Sequence, residues 1–398
     1  MKEAFIVDYL RTPIGRYGGA LASVRTDDLA AIPIHALLEN KRELAAAIED
    51  VYFGSTNQAG EDNRNVARMA ALLAGLPESV PGSTINRLCG SGMDAVVQAA
   101  RAIAVGDIQL AIAGGVESMS RAPFVIPKAD KAFPTQAEIV STTLGWRLVN
   151  PRMEALGHTE ALGITAENVA REYDVSRADQ DAFALRSQER AARGADKRAA
   201  EITPVRLGVG TKKELTIDSD EHPRADTTLA SLSRLKPAFR DDGSVTAGNS
   251  SGINDGAAAL LLASREAVER YGLTPIARVV SASTAGVPPR LMGIGPIPAT
   301  KALLARTGRR IEDMDVVELN EAFASQALAC LRALGLPDDA EHVNALGGAI
   351  ALGHPTGMSG ARLVGTAARE LQRRGGRFAL ASMCIGVGQG ISLLLESA

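Results

Sequence analysis

Two cysteines and one histidine are the residues of this chain whose types and settings best suit chemistry. The first, Cys89, lies in the turn NRLCGSGM at residues 86–93, and an apolar pattern with helical spacing follows it. A thiol at the entrance of a helix meets the positive end of the helix dipole and free N–H groups, so we expect its thiolate to be favoured. We also expect Gly90 and Gly92 to leave room for a carbonyl group to approach the sulfur. This polar, glycine-rich setting argues against a small buried hydrophobe, the commoner fate of cysteine.

The histidine is His354, which stands between Gly353 and Pro355. Its neighbours restrict the backbone, which suits a base that must stay in one position. A single histidine usually has a structural role, and the company of Cys89 and Cys384 is what favours a catalytic one here. No role is assigned to the remaining histidines, His35, His158, His222 and His342.

The second cysteine, Cys384, ends an apolar strand and enters the glycine-rich loop IGVGQG at residues 385–390. This loop lacks the glycine order of a dinucleotide-binding loop and opens no helix. We interpret it as part of an oxyanion hole, in which the N–H groups of Gly386 and Cys89 bind a developing negative oxygen. The third cysteine, Cys330, lies in an apolar helical run and is interpreted as core.

Asn320 directly follows the strand-like sequence VVEL at residues 316–319. Asparagine at such a junction is usually a helix cap. Its amide can also donate to a substrate oxygen or hold a water molecule, and the residues alone leave these alternatives open.

Two thiols and one imidazole suggest carbon–carbon bond chemistry. One thiolate can carry an acyl group as a thioester, while a second thiol takes or gives a proton at the α-carbon. A hydrolase built from Cys89, His354 and Asn320 is an alternative, but it leaves Cys384 without a task.

An internal repeat predicts the elements that bring these residues together. The tripeptide IED at residues 48–50 recurs at 311–313, CGSGM at 89–93 is answered by HPTGM at 354–358, and LAIAG at 110–114 by FALAS at 378–382, with offsets of 263, 265 and 268. Three matches in register predict a duplicated α/β unit. Equivalent turns of the two copies would place Cys89 near His354 across a pseudo-two-fold axis. The alternation of short apolar runs with helical patterns predicts mainly parallel sheets covered by helices.

The repeat also predicts the domain organisation. We expect an N-terminal half at 1–120 plus 251–272, a loop domain at 121–250 and a C-terminal half at 273–398. The loop domain is rich in charge and proline and shows amphipathic helical patterns at 168–172 and 179–193, which suits an insertion that covers a site.

Composition excludes several classes of protein. A net charge of −3 with interspersed signs gives no global attraction to nucleic acid or to an anionic membrane, so local arginines must meet any anionic ligand. Three cysteines without a short-spaced pair argue against a disulfide framework or a metal site and favour a reducing compartment. The sequence has no signal peptide pattern and no apolar run long enough to span a bilayer, which predicts a soluble cytoplasmic protein.

At this point the chain resembles the thiolase family over essentially its whole length. The resemblance lies in the Cys89 segment, in residues 254–258 with 320–323, and in the block that runs from 353–355 to 384–386. It implies a five-layered αβαβα fold of two duplicated halves with an inserted loop domain, assembled as a homodimer or homotetramer. It also implies that Cys89 is the acylated nucleophile, His354 its base and Cys384 the acid and base at the α-carbon.

The resemblance implies two oxyanion holes and a co-substrate. Asn320, through a water molecule, and His354 would form one hole, and the N–H groups of Cys89 and Gly386 the other. Coenzyme A would be a co-substrate and not a permanently bound cofactor, with Arg224 at its nucleotide end and Ser251 and Ala247 along its pantetheine arm. The full set of matching positions for coenzyme A is Arg224, Ala247, Ser251, Met292 and Phe323.

The expected substrate is a dicarboxylic 3-oxoacyl-CoA, cleaved to acetyl-CoA and a shortened acyl-CoA in aromatic or fatty-acid catabolism. Residues 161–168 read ALGITAEN, without the His-Met pair that many biosynthetic thiolases carry at this place. Residues 57–68 and 145–147 resemble thiolases that cleave 3-oxoadipyl-CoA, whose terminal carboxylate calls for a cation or several donors in the acyl pocket. The alternatives are a biosynthetic acetoacetyl-CoA thiolase, a decarboxylating ketoacyl synthase and a non-catalytic acyl-CoA-binding protein.

Overall fold

The structure, a computed structural model, describes residues 2–39 and 41–398. In the first half of the chain, short apolar strands alternate with helices, as the hydrophobic runs predict. These elements are β1 (Ala4–Arg11), β2 (Gly15–Arg16), α1 (Thr26–Leu38), α2 (Arg42–Ala46), β3 (Asp50–Gly54), α3 (Val66–Leu73), β4 (Ser83–Ile85), α4 (Ser91–Val105) and β5 (Leu110–Ser118).

A long insertion follows β5 and holds mostly short elements. They are β6 (Phe124–Val125), β7 (Val140–Ser141), α5 (Pro151–Ala155), α6 (Leu162–Glu172), α7 (Arg177–Arg193), α8 (Ala195–Ala199), β8 (Val205–Leu207), β9 (Leu215–Ile217) and α9 (Leu229–Ser233). The helical patterns expected at 168–172 and 179–193 fall inside α6 and α7, so both are confirmed. Ser176 caps α7 by accepting the N–H of Asp179 at 3.1 Å. The division of the chain at 120, 250 and 272 stays a prediction.

The chain then completes the first half and builds the second. The elements are β10 (Asn254–Ser264), α10 (Arg265–Tyr271), β11 (Ala277–Gly286), α11 (Pro296–Thr307), β12 (Val316–Leu319), α12 (Ala324–Leu334), α13 (Ala349–Leu352), α14 (Thr356–Arg374), β13 (Phe378–Ile385) and β14 (Gln389–Ser397), with 3-10 turns at Pro289–Ile294 and Ile311–Asp313. In the part of the chain that the structure describes, no helix is both long and apolar enough to cross a membrane.

The two halves repeat one strand order. It is β1-β10-β5-β3-β4 in the first half and β11-β14-β13-β12 in the second, where Val343 lies beside Val317 as β4 lies beside β3. The expected duplication is therefore confirmed. The expected mainly parallel sheet is wrong, because β10 and β14 run antiparallel to both of their neighbours. β10 and β14 each run in the direction opposite to the strand that precedes them in their half. A long insertion connects β5 to β10 in the first half, and a tight hairpin connects β13 to β14 in the second.

The strands carry apolar side chains on both faces, which explains the layering. Along β5, Ala111 and Ala113 face one core while Leu110 and Ile112 face another. The first core lies between the halves around α4 and α14, and the second lies under α1 and α3. A third core forms on the far side of the second half under α11 and α12. This arrangement gives helix, sheet, helix, sheet and helix layers, so the five-layered fold is confirmed.

The central helices α4 and α14 approach each other closely because glycines line their first turns. A Cβ added to Gly92 would lie 2.6 Å from the carbonyl oxygen of Gly357, and one added to Gly115 on β5 would lie 2.0 Å from the same oxygen. Such distances are far below van der Waals contact, so only glycine fits. The two helix entrances, one beside Cys89 and one beside His354, are thereby held together.

Candidate active site

Cys89 lies in a turn that hydrogen bonds fix immediately before α4. The N–H of Leu88 donates to Oδ1 of Asn86 at 2.9 Å, and the N–H of Arg87 donates to Oγ of Ser91 at 2.9 Å. Leu88 has a φ of +47°, a conformation that costs a non-glycine residue roughly 1–2 kcal/mol. A strained residue therefore directly precedes the predicted nucleophile, and strain of this kind often accompanies function.

The protonation state of Cys89 differs from the expectation. Burial raises the pKa of Cys89 above its ordinary value, and although the N–H groups of Gly386 and of Cys89 itself lower it, the charge of Glu117 raises it again. The prediction that the thiolate is favoured is therefore wrong for the resting protein, because the loss of solvation outweighs the effect of these two N–H groups. Deprotonation of Cys89 needs a base.

The glycines beside Cys89 do not leave room for a substrate. A Cβ on Gly90 would lie 2.5 Å from Cδ1 of Ile385, and the space at Gly92 is filled by Gly357. The expectation that both glycines admit a carbonyl group is wrong. The room that they provide is taken up by packing between the two halves.

His354 is buried at the entrance of α14, where contacts define its tautomer. Its Nδ1 lies 2.6 Å from Oγ of Ser359, and that hydroxyl donates its hydrogen to the carbonyl oxygen of Pro355 at 2.9 Å. Because a hydroxyl has one hydrogen, Nδ1 must carry a proton and donate it to Ser359. Nε2 then carries a lone pair that can accept a proton, and in the resting protein this lone pair faces Nδ2 of Asn320 at 3.3 Å.

The charge state of His354 suits a base. Burial, and then the guanidinium of Arg362, lower the pKa of His354 to about 4, so its imidazole is neutral at pH 7. The backbone N–H of His354 donates to Oδ1 of Asn254 at 2.9 Å, which fixes the main chain at this point.

Cys384 is the last residue but one of β13 and lies in a small apolar cluster. Its neighbours there are Ala166, Val245, Met292, Ala322 and Phe323. Burial raises the pKa of Cys384 well above its ordinary value, and the charge that Cys89 can carry raises it further. The two sulfurs therefore lie close enough to influence each other, and Cys384 is held as a thiol.

Asn320 extends β12 beside β13. Its backbone N–H donates to the carbonyl oxygen of Ser382 at 2.9 Å, and its Nδ2 lies 3.3 Å from Nε2 of His354. Its Oδ1 is buried without a hydrogen-bond partner among the described residues. The helix-cap interpretation is wrong, because α12 begins only at Ala324, with Phe323 in the cap position. The amide is therefore available to a ligand or a water molecule.

These contacts join the predicted catalytic residues into one region. The N–H of Gly386 reaches the sulfur of Cys89, and Cys384 is coupled electrostatically to the same sulfur. Asn320 links His354 to β13, the strand that carries Cys384.

The five positions predicted for coenzyme A divide into two groups. Met292 and Phe323 are buried next to Cys384. Ser251 is half-buried and donates its N–H to the carbonyl oxygen of Ala322 at 2.9 Å, whereas Arg224 and Ala247 are exposed. Their roles toward coenzyme A stay predictions.

A cavity of about 420 Å³ opens beside Cys89. Cys89, Gly386, Met292 and Thr356 line it from the two halves, and Thr356 stands two residues after His354. The insertion supplies the rest of the wall, with aromatic and basic residues among those that line it, namely Trp146, Arg147 and His158.

Two residues of the site escaped the sequence reasoning. The carboxylate of Glu117 accepts the N–H groups of Thr56, Asn57 and Gly357 at 3.0, 3.0 and 2.9 Å. Its signal was available, since it is the one charged residue in the otherwise apolar β5. Ser359, which orients His354, had no such signal, because nothing marked it among the other helical serines.

Metal chemistry finds no support in the side chains described. Across residues 2–39 and 41–398 no group of three or more His, Cys, Asp or Glu side chains converges in a way that suits a metal ion.

Comparison with protein families finds two matching domains. The family described as "Thiolase, N-terminal domain" matches residues 4–266, and "Thiolase, C-terminal domain" matches residues 273–397. Together they span nearly the whole chain.

Curated proteins of high similarity include two bacterial enzymes. The chain is 61% identical over 398 residues to a protein of Pseudomonas aeruginosa named "Beta-ketoadipyl-CoA thiolase", with 99% of each chain covered. It is 63% identical over 399 residues to the "3-oxoadipyl-CoA/3-oxo-5,6-dehydrosuberyl-CoA thiolase" of Escherichia coli, with 100% of each chain covered.

Solved structures share the fold. The acetyl-CoA acetyltransferase of Bacillus anthracis superposes with a TM-score of 0.92 at 40% identity, covering 100% of this chain and 99% of that one. Human mitochondrial 3-ketoacyl-CoA thiolase in complex with CoA gives 0.91 at 39% identity, covering 100% and 98%.

Proposed function

Because this chain belongs to the thiolase family, we propose that it uses coenzyme A to cleave 3-oxoadipyl-CoA to acetyl-CoA and succinyl-CoA. The observation that carries the proposal is the meeting of two N–H groups and a second thiol at the sulfur of Cys89. A hydrolase would use the first of these features but has no use for the second. The dicarboxylic substrate is supported by the names of the relatives at 61% and 63% identity.

In the first half-reaction Cys89 would attack the 3-oxo carbonyl. Its proton passes to Nε2 of His354, whose other nitrogen is held by Ser359. The C2–C3 bond breaks, the acyl group stays on the sulfur, and the electron pair goes to the enolate of acetyl-CoA. Cys384 then gives its proton to C2 of that enolate, which releases acetyl-CoA.

In the second half-reaction coenzyme A would remove the acyl group. Its thiol loses a proton to the thiolate of Cys384 and attacks the thioester carbonyl. When the sulfur of Cys89 leaves, it takes back the proton from His354. Every proton and electron pair is thereby returned, and the enzyme regains two thiols and a neutral imidazole.

The pKa directions fit these roles. A raised pKa keeps Cys384 protonated until a strong carbon base, the enolate, appears beside it. The N–H groups of Gly386 and Cys89, which point at the sulfur in the resting protein, are placed to bind the oxygen that becomes negative when the sulfur is acylated. Asn320, with its free Oδ1 and its amide beside His354, would hold the water of the other oxyanion hole.

We also propose an oligomeric state, a cellular location and a metabolic role for the enzyme. We expect a homodimer or homotetramer in the cytoplasm, acting in the breakdown of aromatic or fatty-acid compounds. This expectation rests on family resemblance.

The test is to trap the acyl-enzyme. Incubation with 3-oxoadipyl-CoA in the absence of coenzyme A should leave a succinyl group on the peptide that holds Cys89, detected by mass spectrometry. Cys89→Ala should abolish the adduct and lower turnover by roughly 10³-fold or more, because the nucleophile is lost. Cys330→Ala is the matched control, since Cys330 lies in the core with its thiol bonded to the carbonyl oxygen of Gly293, and it should retain both adduct and turnover.

Other outcomes identify the alternatives. An adduct on another residue, or none with full turnover, would end the proposal. Release of free acid without transfer to coenzyme A would indicate a hydrolase, and a higher kcat/KM for acetoacetyl-CoA would indicate a biosynthetic thiolase. Turnover of malonyl-CoA would indicate a ketoacyl synthase, and tight binding without any turnover a non-catalytic acyl-CoA-binding protein.

A further inference from the structure

The wall of the cavity beside Cys89 contains a single permanent cation. Among the described residues that line it, Arg147 is the only arginine or lysine, and His158 is the only histidine. Both come from the insertion and reach the same space as the reactive sulfur. An anionic group of a substrate that enters this space would meet Arg147.

Arg147 has no carboxylate partner within ion-pair distance among the described residues. Within residues 2–39 and 41–398 its guanidinium makes one hydrogen bond, from Nη1 to the carbonyl oxygen of Gly145 in its own loop, at 3.4 Å. It is half-exposed and lines the cavity, so the guanidinium donors that this bond does not use are available to a ligand there. Unpaired donors in such a place suit an anionic ligand.

Other arginines near the site have side-chain partners. Arg87 in the turn of Cys89 pairs with Asp94 at 3.0 Å, and Arg290 pairs with Glu172 at 3.1 Å. Arg240 donates to Oδ1 of Asn168 at 2.8 Å. Arg147 is thus distinguished both by its place in the wall and by having no side-chain partner among the described residues.

Two carboxyl groups in the same wall make the binding of an anionic ligand more dependent on Arg147. Glu117 is held by three backbone N–H groups, and Glu160 accepts from Nδ2 of Asn168 at 2.8 Å. Neither has a cation partner in the part of the chain that the structure describes, so a carboxylate ligand that enters the cavity finds two further carboxyl groups in its wall. Binding of such a ligand therefore depends strongly on Arg147.

The loop that carries Arg147 is tied to the cavity wall. Nε1 of Trp146 donates to the carbonyl oxygen of Glu160 at 3.3 Å, which links the loop to the segment that precedes α6. The guanidinium next to this anchor is thereby kept near the cavity.

We propose that Arg147 binds the terminal carboxylate of a dicarboxylic 3-oxoacyl-CoA and so sets the preference of the enzyme for such substrates. This inference rests on the proposed function. The succinyl group on Cys89 has two methylene groups between its thioester carbonyl and its carboxylate, so its charge stays within the cavity that the sulfur shares with Arg147. A guanidinium binds a carboxylate through two parallel N–H···O bonds, which an uncharged acyl chain cannot form.

The experiment compares two substrates of equal chain length, 3-oxoadipyl-CoA and 3-oxohexanoyl-CoA. In Arg147→Gln, kcat/KM for 3-oxoadipyl-CoA should fall by roughly 10- to 100-fold, as expected for the loss of a charged hydrogen-bond pair. The value for 3-oxohexanoyl-CoA should stay within a few-fold of wild type. Arg147→Lys, which keeps the charge without the bidentate geometry, should give an intermediate ratio. Arg152→Gln, an exposed arginine of the same insertion outside the cavity wall, is the control and should leave the ratio unchanged.

The outcomes separate this inference from the proposed function. An unchanged substrate ratio in both Arg147 variants, or an equal loss for both substrates, would overturn the role of Arg147 while the thiolase activity stands. Wild type that cleaves both esters without preference would overturn the inference as well. Wild type that cleaves neither would remove the proposed function. If Arg147→Gln fails to fold, the Arg147→Lys ratio decides alone.

Discussion

The ends of β5 and β13 occupy equivalent places in the two halves and serve opposite purposes. Gly115 pairs with Gly54 on the parallel neighbour β3, as Ser382 pairs with Leu319 on β12. Two residues further along each strand stand Glu117 and Cys384. The first is a carboxylate that accepts three backbone N–H groups, and the second is a thiol buried among apolar side chains.

The difference shows how a duplicated scaffold divides its work. Glu117 fixes the first turn of α14 through the N–H of Gly357, three residues after His354. Its hydrogen-bonding capacity is committed, so it positions elements. Cys384 lies among apolar side chains and its raised pKa keeps it a thiol, which is the state that the proposed proton transfer to carbon requires. One strand end therefore carries a group that holds the backbone in place, and the other carries the thiol to which we assign the proton transfer.

The largest effect that tests this contrast between the strand ends is expected at Cys384. In Cys384→Ala, thiolysis should fall by roughly 10²- to 10⁴-fold, the usual contribution of a general acid and base, because no group then protonates the enolate. Acylation of Cys89 by succinyl-CoA should fall far less. That half-reaction forms no enolate, and the coenzyme A thiolate is a much weaker base that can leave without the proton of Cys384. Rapid-quench mass spectrometry measures acylation, and steady-state kinetics measures thiolysis. Equal losses in the two reactions would contradict the assigned role.

Glu117→Gln tests the other strand end. The amide offers one oxygen where the carboxylate offers two, so at least one N–H among Thr56, Asn57 and Gly357 loses its acceptor. We expect the free energy of unfolding to fall by roughly 2 kcal/mol, measured by urea denaturation. Removal of the charge should also lower the pKa of Cys89, which Glu117 raises.

The matched control for that substitution is Glu154→Gln, an exposed glutamate of the insertion. It should leave both stability and the pKa of Cys89 unchanged. If Glu117→Gln unfolds no more readily than this control, Glu117 is not a positioning residue and the contrast between the strand ends fails.

The repeated segments were a reliable guide to architecture. Residues 89–93 and 354–358 do open the equivalent helices α4 and α14, because apolar spacing and glycines are local features that the sequence displays. The sheet direction was misread, since a strand such as β10 has apolar residues on both faces whether its neighbours are parallel or antiparallel.

The errors within the site arose from tertiary contacts. The space next to Gly90 is filled by Ile385, which is almost three hundred residues away in sequence. The pKa of Cys89 likewise depends on burial by the opposite half and on Glu117, neither of which the local motif displays. Ser359 reaches His354 only because α14 turns its side chain back toward Pro355.

The entrances of α4 and α14 hold two neutral groups, the thiol of Cys89 and the imidazole of His354. The dependence of stability on pH tests whether the imidazole is neutral. The unfolded chain protonates His354 as pH falls through 6.5, whereas burial keeps the folded imidazole neutral until about pH 4. The unfolded state therefore binds more protons in this window, and the protein loses stability as pH falls from 6.5 toward 4. Replacement by His354→Gln removes this loss, so the stability of wild type relative to the variant should decrease by about 1 kcal/mol between pH 7 and pH 5.5, measured by urea denaturation at both values.

His222, whose pKa burial also lowers to about 4, is present in both proteins and cancels in the difference. Parallel pH profiles would show that the imidazole at α14 is freely protonated in the folded protein, and the symmetry of two neutral groups at the helix entrances would be lost.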